Sequence, residues 1–247
     1  MLDISFLKAL HTSTGIVVVF SGAMALLLSK GSLQHKLAGR LFVSSILIMG
    51  PVVLAGAWIS PGSISSLGIL FMFFMIYLVV SAWSTIRRAD GTHSLLDILA
   101  PFVAGSISIA GLILGYDALR DTSRAESIPP IEAYYFFSAL AFMAMLLDVN
   151  HLKNCSVRGK SKIIRHVWRM NCALFFATST LFTGPGSIIF PDSMRGNPLL
   201  LIPQLLVIIL ALFWIYRLLF SKQGTLQTNI SNLAKSSSSV NSNIEDQ

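Results

Sequence analysis

Long apolar runs, each close to 20 residues and separated by short polar patches, limit this chain to very few architectures. About 20 consecutive apolar residues in a helix span the hydrocarbon of a bilayer. Lipid offers backbone groups no hydrogen-bond partner, so each such run is read as a helix that satisfies itself. The composition agrees: 54% of residues are hydrophobic and only 12% charged, with a mean hydropathy of +0.72. A soluble domain carries about 25% charged residues. The expected fold class is all-α, an integral membrane bundle of seven helices.

The expected spans run approximately over 10–29, 40–59, 65–86, 95–116, 131–149, 166–184 and 198–220. Gly50-Pro51 and Ala100-Pro101 fall inside the second and fourth and are expected to mark kinks, which a helix inside a bundle tolerates. Residues 1–220 form the transmembrane domain on this reading. Residues 221–247, rich in Ser, Asn and Gln and lacking aromatic residues, read as a polar disordered tail.

Charge fixes an expected orientation. The first, third and fifth loops carry Lys30, Lys36 and Arg40, then Arg87 and Arg88, then Lys153, Arg158, Lys160, Lys162 and Arg165. The alternate loops are neutral or acidic, with Asp117, Asp121, Glu126 and Glu132 in one of them and Asp192 against Arg195 in another. Basic loops stay cytoplasmic. Seven spans then leave the N-terminus outside and the C-terminus in the cytoplasm, with Lys8 the one dissenting charge. The expected location is the bacterial inner membrane, with anionic lipid at the basic loops as a partner.

The net charge of +7 has this explanation, and no RNA- or DNA-binding motif accompanies it, so no nucleic-acid partner is expected. Cys155 and Cys172 lie in unrelated surroundings and make no disulfide framework; both are expected reduced. The first apolar run is followed by Ser29-Lys30-Gly31 rather than a small-x-small cleavage site, and is read as a retained helix.

Arg165-His166-Val167-Trp168-Arg169-Met170 opens the sixth run. Arg165 ends the most basic loop and is explained as an orientation signal. Arg169 lies one turn deeper on the same face, beside Trp168, and lacks that explanation. Four histidines, His35, His93, His151 and His166, fall at cytoplasmic helix ends or loops, while His11 lies at the outer end of the first span. Neutral imidazoles at one depth could converge on haem iron or another metal. Asp148 with His151, and His93 with Asp97, share helix faces at i, i+3 and i, i+4. Asp148 ends a strongly apolar span, where an ionisable group is a functional candidate. Against this, a histidine at a membrane interface is satisfied by water and headgroups and needs no ligand. Gly15 and Gly22, on one face of the first span, suit close helix packing.

The stretch His11-x3-Gly15, Lys30-Gly31-x3-His35-x3-Gly39-Arg40 and the later Arg165-His166-x-Trp168-Arg169-Met170, with Ala173-Leu174-Phe175 and Phe190-Pro191, resembles a group of uncharacterised bacterial multi-pass membrane proteins. Tyr77-Leu78-Val79 and Ala82-Trp83 extend the resemblance over roughly residues 10–220. The group's function is unknown, so the resemblance implies topology rather than activity. It places His11, His35, His166, Trp168 and Arg169 at recurring positions and Asp148 at the end of span five.

Three functional readings follow. The first is a transport, assembly or sensing protein without catalytic chemistry. The second is a b-type haem electron carrier or reductase using His35 and His166, with Arg40 or Arg169 at the propionates. The third is a metal-dependent enzyme acting on lipid, with His35, Asp148 and His166 as ligands. No Walker loop, Gly-x-Ser-x-Gly elbow, His-Glu-x-x-His or Cys-x-x-Cys is present.

Overall fold

A computed structural model describes residues 4–62, 64–89, 92, 94–120, 130–153 and 159–220. His93, Cys155 and the expected tail at 221–247 lie outside them. Seven long helices follow in order: α1 (Ile4–Leu27), α2 (Leu33–Ile59), α3 (Ser66–Arg87), α4 (Leu95–Arg120), α5 (Ile131–Lys153), α6 (Lys160–Phe182) and α7 (Ile202–Phe220). The described residues form no strand. The chain is an all-α membrane protein.

The expected boundaries hold well for α3, α4 and α5 and need correction elsewhere. α1 begins at Ile4 and α2 at Leu33, each about two turns before its expected span. Ser32 caps α2, its side chain accepting from the His35 N–H at 3.1 Å. Such caps hold polar first turns in helical form, and hydropathy does not register those turns. α6 likewise begins at Lys160 rather than 166, with two charged turns ahead of its apolar part. The seventh apolar run opens as a 3-10 turn, Pro198–Leu201, before α7 proper. α2 and α4 each continue through their internal proline, Pro51 and Pro101.

Six of the helices are long and apolar enough to cross a membrane, and α6 is the exception. Its 23 residues suffice in length, about 34 Å at 1.5 Å per residue. Lys160, Lys162, Arg165 and Arg169 deny it the apolarity. The bundle accommodates it by enclosure, because α6 lies against α3, α7 and α1 and buries Arg165 and Arg169. Charged groups within a membrane bundle face inward for this reason.

α3 forms the centre. Leu78, Val79 and Ala82 are fully buried, and Phe71 and Phe74 meet Phe137 of α5 and Phe176 of α6 edge-on, at centroid distances of 5.2–6.2 Å within the group. Edge-to-face rings gain from their quadrupoles beyond simple area burial. The outer surface is the opposite of a soluble protein's, with Trp58 88% exposed and Phe102 69%. A continuous exposed apolar surface of this kind suits lipid.

Gly22 marks the junction of α1, α2 and α6. A Cβ there would stand 2.5 Å from Leu174 Cδ1 and 2.9 Å from Phe42, so a side chain would push three helices apart. Small residues permit this approach.

Candidate functional site

At the end of the bundle that carries the basic loops, four elements converge: the C-terminus of α3, the start of α4, the end of α5 and the second and third turns of α6. The start of α4 is built locally. The Ser94 hydroxyl accepts from the Asp97 N–H at 3.3 Å, while Asp97 Oδ2 accepts from the Ser94 N–H at 3.0 Å and its hydroxyl at 2.8 Å. This is a reciprocal capping box, and it favours an acid at a helix N-terminus. Asp97 is thereby fixed, 2% exposed, with its other oxygen turned toward α6.

Arg165 is the hub. Its Nη1 donates to Asp97 Oδ1 at 2.9 Å and to Thr85 Oγ1, and its Nη2 donates to Asp148 Oδ1 at 2.8 Å. One turn deeper, Arg169 Nη2 donates to the same Asp148 oxygen and to Tyr77 Oη at 3.1 Å. The Tyr77 hydroxyl donates in turn to Asp148 Oδ2 at 2.6 Å. The side chains of Asp148 and Arg169 are 0% exposed. The Arg169 guanidinium also lies 5.1 Å from the ring centroids of both Tyr77 and Trp168, a cation–π geometry.

The outer layer is Arg88 with His151. Arg88 pairs with Asp97, and its Nη2 meets His151 Nε2 at 2.6 Å. Arg165 Nη1 reaches the same nitrogen at 3.3 Å. A guanidinium only donates, so these contacts give His151 Nε2 the acceptor role. Lys162 donates to the Arg88 carbonyl.

Among the described residues, three guanidinium groups (Arg88, Arg165 and Arg169) face two carboxylates (Asp97 and Asp148). Burial first, and the charge of Arg165 second, press the Arg88 guanidinium below its ordinary value. Arg165 Nε and both Nε and Nη1 of Arg169 are buried without a hydrogen-bond partner in the described protein. Unused donors on a buried cation are costly, so their retention calls for a reason beyond packing.

The histidines singled out from the sequence are elsewhere. His35 directs Nδ1 to the Ala25 carbonyl at 2.9 Å, and His166 directs Nδ1 to the Ala82 carbonyl at 3.2 Å. A carbonyl only accepts, so each ring donates from Nδ1. The two share a depth: His35 is seven residues before Phe42 and His166 eight before Leu174, the two side chains that meet at Gly22. His11 is exposed on α1, toward the opposite end of the bundle. Arg40 is exposed on the outward face of α2, and Trp168 is half-buried beside Arg169.

Both oxygens of Asp148 are engaged, by Arg165, Arg169 and Tyr77. Among the described residues no three His, Cys, Asp or Glu side chains gather as a metal site. Arg169 is bound to Asp148 rather than held beside a histidine. Arg165, read from the sequence as an orientation signal, is the centre of the buried network. Asp97 and His151 belong to that network through contacts between helices. Tyr77, Thr85 and Arg88 complete the site without a sequence signal that points to them as site residues.

Compared with protein-family models, curated proteins and solved structures, the chain has no match.

Proposed function

We propose that this protein is a transporter of a small anionic solute, seated in the bacterial inner membrane with its N-terminus outside and its basic loops at the cytoplasmic face. One observation carries the reading: among the described residues the network holds one more arginine than it has carboxylates, and its deepest arginine keeps two nitrogens without a hydrogen-bond partner. Buried ionisable residues in membrane bundles mark ion and substrate pathways. Arginine suits a planar carboxylate or a phosphate through paired N–H donors. The carboxylates and Tyr77 hold the cations in place between passages, and the solute's charge balances the excess while it is bound.

The test is electrical. Purified protein in liposomes is expected to give a transient current on exposure to at least one member of a panel of chloride, phosphate and short carboxylates. Arg169→Gln is expected to abolish it. Folded protein giving no current with any of these anions rejects the reading.

A second reading, a b-type haem electron carrier, is favoured by the histidine pair. Histidines that ligate iron or zinc donate their other ring N–H to a carbonyl or carboxylate, the arrangement both His35 and His166 make. The expected signature is a Soret band in protein purified from haem-replete cells, lost in His166→Ala. A colourless wild-type preparation eliminates it.

A further inference from the structure

We propose that the outer face between α2 and α3, at the basic end, binds one anionic phospholipid, its phosphate at Arg40 and Arg87 and an acyl chain laid along α2. A groove of about 240 Å³ opens there. Leu37, Leu41 and Leu47 form its apolar length and Trp83 of α3 its wall. Below Arg40 the groove runs on to Leu47, seven residues or about 10 Å along a helix. That holds the upper part of an acyl chain within one leaflet of a hydrocarbon core about 30 Å thick.

Charge selects the occupant. Arg40 and Ser44 line the groove together with the leucines, and among the described residues no carboxylate lines it. The Arg87 guanidinium stacks over Trp83 at 4.4 Å, so a second cation borders the same wall. Arg40 and Arg87 are both exposed, whereas Arg165 and Arg169 are buried inside the bundle. A long arginine side chain can lay its stem on apolar surface and raise its head to the phosphate layer. Two guanidinium groups above an apolar channel match a phosphodiester headgroup with its chain below. A zwitterionic lipid fits the channel equally well but gains less from the charges.

Native mass spectrometry of the full chain released from micelles tests this, with phosphatidylglycerol and phosphatidylcholine of identical chains as probes. Wild-type protein is expected to retain phosphatidylglycerol preferentially, and excess inorganic phosphate is expected not to displace it. Arg40→Gln should lower retention roughly fivefold, and Arg40→Gln with Arg87→Gln further, since each basic group near a membrane surface contributes about that factor. Leu41→Trp, which fills the channel, should lower retention of both lipids. Arg120→Gln, at the other end of α4 where the guanidinium stacks on Tyr116 at 4.5 Å, should change nothing. Equal retention of the two lipids by wild type overturns the proposal. So does unaltered retention in the double variant, or a loss in Arg120→Gln as large as in Arg40→Gln.

Discussion

Asp148→Ala is expected to lower the midpoint of thermal unfolding in detergent by on the order of 10 °C. The carboxylate accepts from Tyr77, Arg165 and Arg169, and its side chain is wholly buried. Removing it strands two guanidinium groups in the bundle at once. Breaking a buried ion pair from one side costs about 3–5 kcal/mol, because the surviving charge keeps its desolvation penalty. For a chain of this size each kcal/mol moves the midpoint by about 2–4 °C. Asp148→Asn keeps acceptor capacity and should lose less. A midpoint for Asp148→Ala that matches wild type would mean that water already reaches Arg169.

The triple variant Tyr77→Phe, Asp148→Leu, Arg169→Met is expected to recover most of that stability and to carry no anion current. Replacing a whole buried ionic group by apolar residues of similar volume is often neutral or stabilising, in contrast to removing one member. Arg165 keeps Thr85 and Asp97 in this variant, so the contact of α6 with α3 and α4 survives. Stability and transport are therefore predicted to separate: the midpoint returns toward wild type while the current falls to that of empty liposomes. A triple variant that conducts like wild type would leave the inner half of the network a structural clamp, and the transport reading would lose its site.

The membrane architecture was legible because bilayer thickness imposes a length on every apolar run, and that length needs no tertiary knowledge. Helix starts were less legible. At Ser32 and Lys160 the first turns are polar; a side-chain cap holds the first, and the second, which has no such cap, is held by the rest of the bundle. Arg169 and Asp148 were visible as charges without a surface explanation. Their partnership was not, since Tyr77, Asp148 and Arg169 come from three helices and meet only through packing. The local pairing of Asp148 with His151 found neighbours on one helix but missed that both turn to Arg165. Asp97 shows the same limit. Its capping box with Ser94 is a local pattern, while its bond to Arg165 joins residues far apart in the chain.

The low apolarity of α6 has a consequence for how the protein is made. Arginine near the centre of a lone helix costs about 2.5–3.5 kcal/mol on the scale of cellular membrane insertion, and α6 carries two that end up buried. Asp97 and Asp148 lie on α4 and α5, which precede α6 in synthesis. The acids thus leave the ribosome ahead of the arginines. Insertion of α6 is therefore expected to depend on α4 and α5, whose carboxylates come first in the chain and stand ready to pair with it.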